Sequence, residues 1–109
     1  MNGITMIQRK ETRGKLVATL YAQFGRWTQV SSLINAFARG LPAADTEVPN
    51  QLNYLADEQK GFVAIRYQGG EPELTPMREA YVQLTATGVN LYEGDIDDPG
   101  IIFGDGQRA

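Results

Sequence analysis

Asp45-Thr-Glu-Val-Pro-Asn-Gln-Leu-Asn-Tyr-Leu-Ala-Asp-Glu-Gln-Lys-Gly61-Phe-Val-Ala-Ile-Arg-Tyr67 is the stretch in which the chain changes period. Val48, Leu52 and Leu55 return at three- and four-residue spacing, the stripe of an amphipathic helix. Asp45 or Thr46 can cap that helix. Pro49 then falls in the first turn, where amides have no intrahelical acceptor and proline costs little. Gly61 stops the helix, and Phe62 to Tyr67 is a β-branched and aromatic run of strand length. The stretch therefore predicts a helix that leads through one turn into a strand.

Upstream, Leu16, Val17, Leu20, Tyr21 and Phe24 share one face of a helix expected over about Lys10 to Phe24, with Gly25 as its stop. Thr28 can cap a second helix carrying Val30, Leu33, Ile34 and Phe37 at i, i+3, i+4 and i+7, closed by Arg39 and Gly40. Downstream, Gln68 to Glu79 contains Gly69, Gly70, Pro72 and Pro76, which reads as a long hairpin loop, and Ala80 to Leu84 returns as the second strand. Thr85 can cap a short fourth helix from Ala86 to Glu93, broken by Gly94. Three amphipathic helices must pack together to bury their stripes, and a hairpin covers the remaining edge. The expectation is an α+β winged-helix domain over residues 10–94: a three-helix core with a helix-turn-helix, a two-stranded β-hairpin wing and a short C-terminal helix. Residues 1–9 read as an N-terminal arm, and residues 95–109 as an acidic tail rich in Gly and Asp, extended or loosely ordered.

Asn50 to Val63 resembles the recognition helix and first wing strand of winged-helix proteins, and Leu84-Thr-Ala-Thr-Gly88 resembles the Leu-Thr-x-x-Gly turn that follows the second wing strand there. With Glu93-Gly94 and Pro99-Gly100-Ile101, about residues 15 to 101 are similar to the small winged-helix proteins of Mu-like phages and prophages. The resemblance implies a small transcription regulator that binds double-stranded DNA, and a homodimer to which the terminal helix lends Leu91 and Tyr92. It rests on scaffold residues, and a fold does not name a function.

The 109 residues leave room for one domain, and 42% hydrophobic content supports a modest core. With no cysteine and no histidine, disulfides, thiolate metal sites and the commonest general base are absent, so no metal, no cofactor and no enzymatic activity are expected. Asp95-Ile-Asp-Asp-Pro-Gly100 has acids where a calcium loop begins, but Pro99 stands where a further oxygen ligand is needed. Gly69-Gly70 is followed by no helix start or Lys-Ser/Thr pair that would hold phosphate. No apolar run is long enough for a membrane span, and Met1 to Gln8 has no leader pattern, so the cytoplasm is expected. The net charge is −3, with Glu93, Asp95, Asp97, Asp98 and Asp105 against Arg108 at the C-terminal end. Taking those five acids and one base from 13 and 10 leaves 8 acids and 9 bases in residues 1–92, a nearly neutral body.

A third helix entering the major groove turns Glu47, Asn50, Gln51, Asn53, Tyr54 and Asp57 outward. Of these, Asn50, Gln51 and Tyr54 are the candidates for base contact, since Asn and Gln can pair with adenine. Arg26, Lys60, Arg66 and Arg78 are the candidates for phosphates. Against this, Asp45, Glu47, Asp57 and Glu58 share that helix with no base before Lys60, which opposes the attraction that supplies non-specific affinity. A protein partner, met by the acidic helix, the wing or the tail, is the alternative. Arg9, Lys10, Arg13 and Lys15 form the densest basic group, read as a solvated helix start in preference to a binding arm. Trp27, Phe24, Tyr21 and Tyr92 read as core in preference to a stacking platform.

Overall fold

The first helix begins before its apolar stripe does. In the computed structural model, which describes residues 4–67 and 76–104, α1 runs Met6–Ala22. The Thr5 hydroxyl accepts from the Gln8 amide while the Gln8 side chain accepts from the Thr5 amide, a reciprocal cap that satisfies two amides at the helix start. Residues 6–9, expected in an arm, are therefore helical. Met6 and Ile7 stay exposed, so no buried stripe marks them.

After a turn through Gly25, whose φ of 90° suits glycine, Thr28–Gln29 forms a short strand, β1. Thr28 thus pairs with Val82 instead of capping the second helix. That helix, α2 (Val30–Phe37), begins after Gln29, which makes no side-chain cap bond. The third, α3 (Ala44–Ala56), follows Ala43 in the left-handed region at φ 55° and ψ 41°. The Ala43 carbonyl accepts from the Thr46 and Glu47 amides. Asp45 and Thr46 therefore lie inside the helix, not at its cap, and Pro49 falls in the second turn. The missing Pro49 amide leaves the carbonyl of Asp45 without its helical donor, and Asp45 is exposed, so water can serve it.

The strands β2 (Val63–Arg66) and β3 (Tyr81–Leu84) pair antiparallel, Val63 opposite Leu84 and Arg66 opposite Tyr81. β1 adds to the other edge of β3, giving the order β1-β3-β2. The expected two-stranded hairpin is thus a three-stranded sheet, because a two-residue strand is too short to show a period. Met77–Glu79 forms a 3₁₀ turn within the segment expected as loop, and the loop reading of residues 68–75 lies outside the described residues. Thr85 caps α4 (Ala86–Tyr92) by accepting from the Gly88 amide and donating to the Gly61 carbonyl, which ties this helix to the entry of β2.

The core joins Leu16, Val17 and Leu20 of α1, Val30 and Leu33 of α2, Val48, Leu52 and Leu55 of α3, Val82 of β3 and Leu91 of α4, all essentially inaccessible. α1 packs on α3, α4 and β3, and α2 packs on α3. The result is a small α+β domain. Residues 95–104, expected to be loose, cross back over α1. Ile101 is buried, and the Ile102 amide donates to the Lys10 carbonyl at 3.0 Å. Gly14 makes room for this crossing, since a Cβ there would collide with the Ile102 carbonyl.

Among the described residues no helix is long and apolar enough to cross a membrane, and no cluster of three or more His, Cys, Asp or Glu could hold a metal.

Candidate functional site

α3 has three sides. Val48, Leu52 and Leu55 face the core. Glu47 and Gln51, only 6% and 4% exposed, face α1. Thr46, Asn50, Asn53 and Asp57 follow at i, i+4, i+7 and i+11 and are exposed, so they form the solvent side.

The expected base contact by Gln51 is overturned by its burial. Arg13 Nε donates to Gln51 Oε1 at 2.7 Å, and Gln51 Nε2 donates to Glu47 Oε1 at 3.2 Å. Arg9 completes the set, with Nε 3.3 Å from Glu47 Oε1. A buried amide and carboxylate need donors, and these come from the first two turns of α1. Arg9 and Arg13 are therefore neither a binding arm nor simply solvated. Glu47 is likewise not outward.

Tyr54 is half-buried and engaged within the chain. Its ring centroid lies 3.7 Å from the Arg13 guanidinium and 5.2 Å from Lys60 Nζ, and its hydroxyl donates to Asp98 Oδ1 at 2.9 Å. Lys60, expected on phosphate, ends 2.8 Å from Asp98 Oδ2. The Gly100 amide donates to Asp98 Oδ1 at 2.7 Å, and Arg13 Nη1 donates to the Gly100 carbonyl at 2.9 Å. Burial acts to raise the Asp98 carboxyl, but Lys60, the Gly100 amide and the Tyr54 hydroxyl together hold it below the ordinary value. The bond to Asp98 in turn raises the Lys60 ammonium. Three expected contacts, Gln51, Tyr54 and Lys60, thus belong to a network that joins α1, α3 and the tail.

Asn50 remains at the surface, and Asn53 beside it completes the amide-bearing stripe. Helical spacing alone located both, but only the docking of α1 separated them from Gln51. Arg26, Arg66 and Arg78 are exposed, and none is ion-paired among the described residues. Arg66 lies with its guanidinium 4.5 Å from the Trp27 ring centroid and 5.9 Å from that of Tyr81, so its charged head is steadied by the rings while the residue stays exposed. Arg78 stands in the 3₁₀ turn before β3, and Arg26 in the turn before β1. Among the described residues no hydrogen bond or ion pair joins these three to the α3 stripe.

The aromatic expectation holds in part. Tyr21 and Tyr92 stack at 4.2 Å, and Phe103 meets Tyr92 edge-on at 5.9 Å. The Tyr21 hydroxyl donates to Glu93, which raises its pKa. Phe24 is 56% exposed and Trp27 half-buried, so these two are not core. Leu91 is wholly buried, which removes it as an expected dimer contact, while Tyr92 is half-buried and stacked on Tyr21. A groove of about 410 Å³ between α1 and the turn after α2, lined by Glu11, Lys15, Phe37 and Leu41 among others, sets one acid and one base on consecutive turns with no nucleophile–base pair.

The chemistry available is hydrogen bonding from the Thr46, Asn50 and Asn53 stripe and charge from three separate arginines. Comparison of the chain with protein-family models, with curated proteins and with solved structures gives no match.

Proposed function

We propose that this chain is a small winged-helix regulator that binds duplex DNA and catalyses nothing, akin to the Mu-like phage and prophage proteins that its sequence resembles. The observation that carries the reading is the order α1, β1, α2, α3, β2, β3, α4 with β3 between β1 and β2. This is the order in which a winged helix offers its third helix to a groove, and here that helix leaves free a side on which Thr46, Asn50 and Asn53 lie between the exposed acids Asp45 and Asp57. An asparagine amide at Asn50 or Asn53 matches the N6 and N7 edge of adenine. Arg66 and Arg78 beside the wing, with Arg26, supply contacts to phosphate.

A protein partner is the second reading, favoured by Asp45 and Asp57 at the two ends of the same stripe and by Glu58 beyond it, all exposed. The two readings part on salt. Titration of mixed-sequence duplex DNA by fluorescence anisotropy is expected to give roughly micromolar binding at low salt that weakens steeply as salt rises. Arg66→Ala with Arg78→Ala should lower the log–log salt slope by about 2, one for each phosphate contact. Absence of binding at the lowest salt would discard the DNA reading in favour of the protein partner.

A further inference from the structure

Asp98 fills a built anion seat. Its carboxylate receives the Lys60 ammonium at 2.8 Å, the Tyr54 hydroxyl at 2.9 Å and the Gly100 amide at 2.7 Å, with its side chain 5% exposed. The Arg13 guanidinium lies against the other donor, Tyr54, at 3.7 Å from the ring. One cation, a hydroxyl and a backbone amide therefore converge where one negative oxygen pair sits, with a second cation behind the tyrosine ring. A phosphodiester offers the same pair of anionic oxygens at similar spacing.

The seat lies at the edge of the solvent side of α3. Tyr54 follows Asn50 by four residues, which places it about 40° round the helix from it. Lys60 lies three residues beyond Asp57, the last member of the exposed stripe. A helix that reads base edges needs phosphate contacts along the margins of its reading side, and this margin holds Lys60 and Arg13, both occupied by the chain's own tail. The path of the tail is also specified in detail: Gly14 is needed to pass the Ile102 carbonyl, and a Cβ at Gly100 would strike the Tyr54 hydroxyl.

We infer that the Lys60–Tyr54 seat is a backbone-phosphate site of the DNA-binding face, and that Asp98 occupies it as an internal substitute for phosphate in the free protein. The inference rests on the DNA-binding reading. DNA that engages the margin of α3 must displace the Asp98 carboxylate, so the acidic tail sets the affinity.

The test compares Asp98→Asn with the native protein by duplex anisotropy at about 50 mM salt. One additional phosphate contact there corresponds to about tenfold in affinity. Asp98→Asn should bind about tenfold more tightly with a salt slope steeper by about 1, and adding Lys60→Gln should cancel the gain. Asp95→Asn, which changes net charge equally at an exposed position outside the seat, should not reproduce it. Asp98→Ser serves in the same way should the asparagine variant not fold. In parallel, pyrophosphate is titrated while the backbone amide resonances of Tyr54, Lys60 and Gly61 are followed. Shifts confined to the Asp98 variant support the seat. Equal DNA affinity of native and Asp98→Asn proteins overturns the seat and leaves the DNA reading standing. No DNA binding by either protein, with pyrophosphate shifts in the variant, keeps the seat and removes DNA as its ligand. Silence in both measurements overturns both.

Discussion

Gly14 sits in the middle of α1, where glycine costs about 1 kcal/mol relative to alanine in helix propensity. That cost is offset by what it admits, because the backbone of Ile102 passes where a side chain would stand. Gly14→Ala is therefore expected to destabilise in spite of its better propensity, by about 1–3 kcal/mol, the usual consequence of forcing an extra carbon into a packed site. Urea denaturation measures it, and a stabilised variant would show that the tail docks loosely. Arg13 works at the same scale. Its guanidinium serves Gln51, the Gly100 carbonyl and the Tyr54 ring at once, so one side chain links three parts of the chain. Neither role is visible in the residue alone: Gly14 reads as a weak helix position, and Arg13 as one of four bases at a helix start.

At the level of elements, the joints depart from expectation and the stripes hold except at Phe24, which lies past the end of α1 and is exposed. Val48, Leu52 and Leu55 point inward as their spacing requires, whereas the helix ends at Ala56, before the expected stop at Gly61, which instead closes the following turn at φ 64°. The starts differ. Thr28 and Asp45 are good capping residues, yet Thr28 is taken into a sheet by Val82, and α3 begins one residue before Asp45. Capping preference is worth about 1 kcal/mol, less than burying Val30 or Ala44 in register with the core, so tertiary packing decides the joint. The left-handed Ala43 that results costs about 1–2 kcal/mol, while glycine there would lose about 0.5–1 kcal/mol more chain entropy on folding. Ala43→Gly should thus stabilise by about 0.5–1 kcal/mol, seen as a rise in the urea midpoint without change of slope. A fall would mean that α3 owes its start to a contact of the Ala43 methyl group.

Across the whole molecule, the Lys60–Asp98 pair joins the end of α3 to the tail and makes stability depend on pH at both extremes. Asp98 is depressed in the folded state, so its contribution is present above the ordinary carboxylate range and is lost as pH falls through its folded value. Lys60 is raised, so its contribution is present below the ordinary lysine range and is lost as pH rises through its folded value. Native protein should therefore exceed Asp98→Asn in stability between those limits, with the gap closing in acid as Asp98 protonates. Denaturation curves at pH 7 and near pH 3 check this, and a gap that persists unchanged at low pH would assign it to packing.

The residue order alone carries the α+β class, the three helical stripes, the strand after Gly61 and the exposure of Asn50, because hydrophobic period and glycine placement act within a few residues. It carries no sign that Gln51 and Tyr54 lie inside a network while Asn50 and Asn53 lie outside. Residues 50 and 51 differ by about 100° round one helix, and which side is covered depends on α1 and a tail, 38 and 44 positions away in the chain. The same holds for β1, whose two residues become a strand only because β3 offers an unpaired edge. Local periodicity shapes each element, whereas the pairing of buried charges and amides across elements is settled only when the chain is folded and water is excluded.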